Sequence, residues 1–286
     1  IGPSRSGLAG AACWREFRRR YLSREIWWHP SARADYRFYF VNAVVFPIAF
    51  GPILFDPKTI EALLDSVIGA PGADPATAPQ GMGARVAYTL LFFLAYDFGR
   101  FVAHSLLHDV PWLWEFHKVH HSAEVLTPIT SYRAHPFDLA VMAWVPALFT
   151  GLVTWVFHRW VEPGIGVHTF LGLHVLIWVF SLVGNLRHWQ VWISFGQTLN
   201  RWLISPAHHQ LHHSAEPRHF GCNRGFGLAV WDRIYGTLYV PPDQPESFRM
   251  GLGDATDGRW RSLGRLYFWP FGLLAKRLVS KERNPG

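Results

Sequence analysis

The chain is predicted to be an all-α integral membrane protein, with about four transmembrane helices and a cytosolic helical cap. Three observations predict it. Half of the 286 residues are hydrophobic and only 16% are charged, an apolar fraction at the top of the soluble range. Four apolar stretches each approach the roughly 20 residues that cross a bilayer core. Finally, histidines recur at helical spacing in three clusters, all expected at the same end of those stretches.

The whole chain, 1–286, is read as a single membrane domain in three parts. The first, 1–35, is a basic interfacial segment. Up to residue 37 it carries eight Arg, and the run Arg18-Arg19-Arg20 sits among Trp14, Phe17, Tyr21, Trp27 and Trp28, a mixture suited to lying on a membrane surface. The start is short of an apolar core and reads as no cleavable signal peptide. The second part, 36–184, is the transmembrane core with the first two histidine boxes. Its spans are expected at about 36–55, broken by Pro47 and Pro52, then at about 85–107, 137–157 and 165–184. The loop 56–84 is acidic and the loop 158–164 short, so the positive-inside rule puts both outside and both termini in the cytoplasm. The third part, 185–286, rich in Trp, Tyr and Arg, is the cytosolic cap with the last box.

Composition also excludes several classes. Two cysteines, Cys13 and Cys222, allow neither a disulfide framework nor an iron–sulfur cluster with about four thiolate ligands. The formal charge of +7 comes mostly from Arg and fits a cytoplasmic face against anionic lipid, with no nucleic-acid partner. Arg greatly outnumbers Lys, which suggests a GC-rich genome. The expected location is a bacterial inner membrane, in preference to endoplasmic reticulum, with the site on the cytoplasmic side.

The chemistry lies in the histidines. His117-Lys-Val-His120-His121 and His209-Gln-Leu-His212-His213 share one pattern, and His104 and His108 precede the first copy, giving eight imidazoles. On a helix, residues three or four apart share a face, so each cluster projects its rings together. Imidazole suits Fe, Zn, Cu or Ni and not Mg or Ca. Eight ligands exceed one tetrahedral zinc and suit two metals, each with an open position. His188, in Asn185-Leu-Arg-His188, lies at the right height to complete the site, with Asn185 beside it. His135 is open between a supporting group and a lipid-facing one. His208 and His219 are accessory, and His29, His158, His168 and His174 are read as ordinary polar residues. A ligand histidine commonly donates its other N–H to a carboxylate. Asp97, two turns before His104, is the candidate because a carboxylate that deep in a span is otherwise expensive; Asp232 and Glu124 are weaker candidates.

These words resemble the fatty acid hydroxylase / sterol desaturase superfamily over about residues 90–240. Pro111-Trp-Leu-Trp-Glu-Phe-His117-Lys-Val-His-His121-Ser, Arg133-Ala-His-Pro136, Ser205-Pro-Ala-His-His-Gln-Leu-His-His213, Asn223-Arg-Gly225 and Trp231-Asp-Arg-Ile-Tyr-Gly-Thr237 carry the resemblance. It implies a membrane di-iron oxygenase: two non-haem iron ions held by His104, His108, His117, His120, His121, His188, His209, His212 and His213, with O2 as co-substrate. The expected reaction is hydroxylation of an unactivated C–H bond in a membrane lipid, with desaturation at the same site as the alternative. No electron-carrying motif is recognised, so an external donor, a reductase with ferredoxin or cytochrome, is expected. The competing classes are a metal-transporting or metal-storing membrane protein, which would want ionisable groups at mid-membrane in several spans, and a zinc hydrolase, which needs only about three protein ligands.

Overall fold

The computed structural model describes residues 10–69 and 81–283. Its helices, in chain order, are α1 (Gly10–Tyr21), α2 (Arg24–Trp27), α3 (Pro30–Phe50), α4 (Pro57–Ile68), α5 (Met82–Asp109), α6 (Pro111–His121), α7 (Pro136–Trp160), α8 (Val175–Leu186), α9 (Gly196–Leu199), α10 (Pro206–His212), α11 (Val230–Tyr235) and α12 (Leu263–Arg283). The described strands are a two-residue antiparallel pair, β1 (Thr169–Phe170) and β2 (Leu173–His174).

Three helical runs among the described residues are long and apolar enough to cross a membrane: Pro30–Ile68, Met82–Asp109 and Pro136–Trp160. Their faces are inverted relative to a soluble protein. On α3 the apolar Phe40, Val44 and Ile48 are exposed one turn apart, while Ser31, Asp35 and Asn42 are buried. On α5 and α7 the exposed residues include Leu90, Leu94, Leu148 and Leu152, and the buried ones Thr89, Asp97, Asp138, Thr150 and Thr154. Apolar side chains outward and paired polar groups inward is the arrangement lipid demands.

The runs alternate in direction. At the far end, the Gly81 amide before α5 donates to Glu162 after α7 (3.1 Å), and Tyr88 meets Thr154 (2.9 Å). Midway, α5 and α7 come so close that a Cβ on Gly99 would lie 2.6 Å from the Cα of Pro146, so only glycine fits. At the other end both helices reach the histidines. The run α3–α4 follows α7 in parallel, from Asn42 Nδ2 donating to Ala134 O (2.8 Å) to Trp155 Nε1 donating to Asp65 (2.9 Å).

Two expectations are corrected here. The fourth stretch, 165–184, is not one continuous helix. It opens with the β1–β2 hairpin, where Gly172 takes a positive φ, and α8 is 12 residues long, about 18 Å of rise. It nevertheless runs back toward the site: His174 Nε2 donates to Thr89 O on α5 (2.9 Å), and Phe180 stacks on Phe93. The acidic loop 56–84 contains a helix, α4, started by Pro57 and by Asp56, which accepts from the Thr59 amide (2.9 Å). Residues 1–9 and 70–80 of the expected interfacial segment and loop lie outside the described residues.

Beyond the long helices, α6, α10, α11 and α12 with their loops close over the site end. A core of Ala34, Phe38, Val119, Trp260 and Leu266 packs α12 onto α3 and α6. Fully buried Arg133 ties this layer together. It donates to Asp35 (2.6 Å), Ser122 Oγ (2.8 Å), Val119 O (2.8 Å) and Trp260 O (2.7 Å), so its charge is both paired and hydrogen-bonded.

Candidate metal centre

Helix α5 ends at Asp109, and Pro111 starts α6 after a single intervening residue, which folds α6 back on α5. The same device, Pro206 behind the capping residue Ser205, starts α10. These turns bring the three boxes and His188, two residues beyond α8, into one place. The nine predicted histidines fall into two groups that could each hold a metal ion. One is His104, His108, His117, His121 and His212; the other is His120, His188, His209 and His213, with ligand atoms in each within 4.8 Å of one another.

The two copies of His-x-x-His-His exchange members. In the first copy the outer pair, His117 and His121, joins one group and His120 the other; in the second, His209 and His213 join the latter and His212 crosses over. Helix geometry explains this. Positions i and i+4 lie about 40° apart, whereas i+3 lies about 100° from i+4, so adjacent rings diverge toward different centres. The two groups adjoin, with the His121 and His213 rings 4.5 Å apart.

The outward nitrogens are held by groups that only accept. His104 Nδ1 donates to Arg224 O (2.8 Å), His212 Nδ1 to Cys222 O (2.6 Å), His120 Nδ1 to Arg133 O (3.2 Å) and His117 Nδ1 to the Asp138 carboxylate (2.8 Å). His188 Nδ1 meets Ser131 Oγ (2.8 Å). With the proton on Nδ1, each Nε2 turns a bare lone pair inward. The inward nitrogens crowd: His188 Nε2 lies 2.7 Å from His209 Nε2, and His120 Nε2 3.0 Å from His213 Nε2. His117 Nε2 and His121 Nε2 are buried with no hydrogen-bond partner. Burial drives His120 down to about 4 and His212 to about 3, and His121, His188, His209 and His213 well below the usual imidazole range, which keeps those six rings neutral. Converging lone pairs and unpartnered acceptors suit transition-metal cations, and each group could hold one.

Five supporting expectations are redistributed. Asp97 orients no histidine; its oxygens accept from the Gly227 amide (2.7 Å), the Leu228 amide (3.1 Å) and Trp231 Nε1 (2.8 Å), anchoring the loop that covers the site. Asp232 acts one step further out, holding the Arg224 and Gly225 amides (2.7 and 2.8 Å) so that Arg224 O faces His104. His135 caps α7 through Phe137 N and donates to Tyr267 O, outside both groups. Asn185 is exposed and lines the cavity beside the site. The weaker candidate Glu124 pairs with Arg261. The carboxylate that does hold a histidine, Asp138, is absent from the sequence reading. Its signal was available, because it sits in the first turn of an apolar helix and meets the same argument that favoured Asp97.

Two cavities flank the groups. One, about 220 Å³, opens between α5, α7 and α8 and reaches His104, His117, His120, His188 and His209. The other, about 340 Å³, lies over His108, His121 and His212, between Trp114 and Phe220.

Comparison with known proteins matches the stretch of chain that contains both histidine groups. A family model described as fatty acid hydroxylase matches residues 89–237. The chain is 29% identical over 153 residues to alkylglycerol monooxygenase of Xenopus tropicalis, covering 53% of this chain and 30% of that protein. It is 31% identical over 159 residues to ornithine lipid hydroxylase OlsE of Rhizobium tropici, covering 54% and 43%. With cholesterol 25-hydroxylase of Homo sapiens the identity is 30% over 173 residues, covering 59% and 57%. The chain thus spans between 30% and 57% of the length of these relatives. No solved structure matches it.

Proposed function

The chain belongs to the fatty acid hydroxylase family, and we propose that it is an O2-dependent membrane hydroxylase that oxidises an unactivated C–H bond of a lipid. The observation that carries this reading is the pair of histidine groups set at the end of apolar helices, next to a cavity that opens between those helices. His104, His108, His117, His121 and His212 would hold one iron ion, and His120, His188, His209 and His213 the other. When bound, the irons supply the oxidising power to break the C–H bond, using O2 and two electrons from an external donor such as a reductase with ferredoxin or cytochrome.

The protein's own residues position and enclose. Asp138 and the carbonyls of Arg133, Arg224 and Cys222 fix each ring's tautomer and direction. Asp97 and Asp232 pin the loop 224–232, which closes the site toward water. The gap between α7 and α8, at Leu139, Met142, Ser181 and Gly184, admits a lipid sideways from the bilayer. In this reading the short α8 completes a fourth crossing, the site end faces the cytoplasm of a bacterial cell, and α6 and α10–α12 form the cap.

Lipid extracts from aerated cells expressing the intact chain and the His120→Ala variant test the proposal by mass spectrometry. A lipid gaining one oxygen only with the intact chain is expected. Loss of two hydrogens would make the protein a desaturase at the same site, and identical extracts would contradict both.

A further inference from the structure

The 220 Å³ cavity is not apolar throughout. Arg187, beside the ligand His188, is 5% exposed and lines it, and neither Nε nor Nη2 of Arg187 has a hydrogen-bond partner. Arg100, one turn before His104, lines the same cavity, and its Nε is likewise buried and unpartnered. Both guanidiniums stack on Phe226, at 4.6 Å for Arg187 and 5.1 Å for Arg100. That ring holds two like charges side by side at the cavity wall.

The nearby carboxylates do not take up these donors. Asp138 is bonded to His117, Asp97 to Gly227, Leu228 and Trp231, and Asp109 to Arg224. Asp97 acts on Arg187 only through space, and Arg100 opposes it there as a like charge. Burying a cation without a bonded partner is strongly unfavourable. Arg187 is such a cation, and half-buried Arg100 converges on the same cavity beside it; the pair describes a receptor for an anion, and a planar fork that can bind bidentately is the side chain suited to an oxyacid.

We propose that Arg100 and Arg187 form a subsite for the anionic oxyacid group, carboxylate or phosphate, of the lipid that enters this cavity. The inference rests on the cavity being the substrate's, as in the function proposed above. Its volume is below the roughly 300–1,000 Å³ of a site that engulfs a whole ligand. It therefore takes the head group and a few carbons, and the rest of the chain stays among α7, α8 and the bilayer. Substrate enters head-first, and neutral lipids of the same chain length bind poorly.

The test is equilibrium binding of radiolabelled lipids to the purified, iron-loaded full chain in detergent. Palmitate and 1-palmitoyl lysophosphatidic acid are compared with hexadecanol and monopalmitoylglycerol, which lack the charge. At least one acid is expected to bind about tenfold or more tightly than its neutral counterpart, and which acid does so separates carboxylate from phosphate recognition. Arg187→Gln and Arg100→Gln should each erase most of that preference without lowering the iron count, and Arg187→Lys should keep part of it. Equal binding of acids and neutral analogues by the unmodified chain would overturn the proposal without recourse to any variant. So would an undiminished preference in both Gln variants. Acid preference in a chain whose cells show no oxidised lipid would leave this subsite standing and remove the hydroxylase reading. Oxidised lipid from a chain without acid preference would do the reverse.

Discussion

Asp138 and Asp97 are both carboxylates within apolar helices, yet they do different work. Asp138 grips His117, whereas Asp97 grips a loop 130 residues away in sequence. Asp138→Asn should therefore weaken iron binding about 10–100-fold, because the amide no longer raises ring basicity or fixes the tautomer. Asp97→Asn should leave iron affinity within about twofold. Chelator competition on the two purified variants checks the contrast, and equal losses would count against it. Eight of the nine grouped histidines were legible because helical spacing is a local property, whereas His188 stood out only by its place after the fourth apolar stretch. The partner of each outward nitrogen was not legible. Three of those partners are backbone carbonyls, of Arg133, Arg224 and Cys222, and no side-chain identity announces where a carbonyl will point.

At the scale of elements, α5, which carries the first box, packs against α7, whose first turn holds Asp138 against His117. Their closest point is Gly99 against the Pro146 backbone. Gly99→Ala should destabilise the protein by about 1–3 kcal/mol, since neither backbone can give way cheaply. Gly83→Ala, in the first turn of α5 with nothing within 4 Å of the new methyl, should be neutral or stabilise by up to about 1 kcal/mol. Thermal unfolding in detergent distinguishes the two; a harmless Gly99 substitution would mean the helices are not so close. Hydropathy located α3, α5 and α7 because each is long and nearly uncharged. It misjudged 56–84, where the acidic residues outweighed a clear start signal at Asp56-Pro57 and apolar residues at helical spacing. It also drew 165–184 as one helix, since the turn at Leu171–Gly172 is set by positive φ values in a stretch as apolar as its surroundings.

Across the described residues, the two histidine groups gather at one end of the long helices and apolar side chains turn outward along them. Buried Arg133 joins Asp35 on α3, Ser122 behind α6 and Trp260 before α12, so these three helices are fastened by one side chain. His120 hangs from the carbonyl of that same residue, which couples the fastening to the metal centre. Such a centre, with its lone pairs converging, is expected to be incomplete without its cations. Metal content per chain is therefore the measurement to make, by plasma mass spectrometry on the intact chain purified without chelators or oxygen, alongside His121→Ala and His209→Ala. Two irons per intact chain are predicted, with each substitution lowering the count from a different group. A single metal ion per intact chain, or none, would contradict a two-iron site and the oxygen chemistry proposed for it.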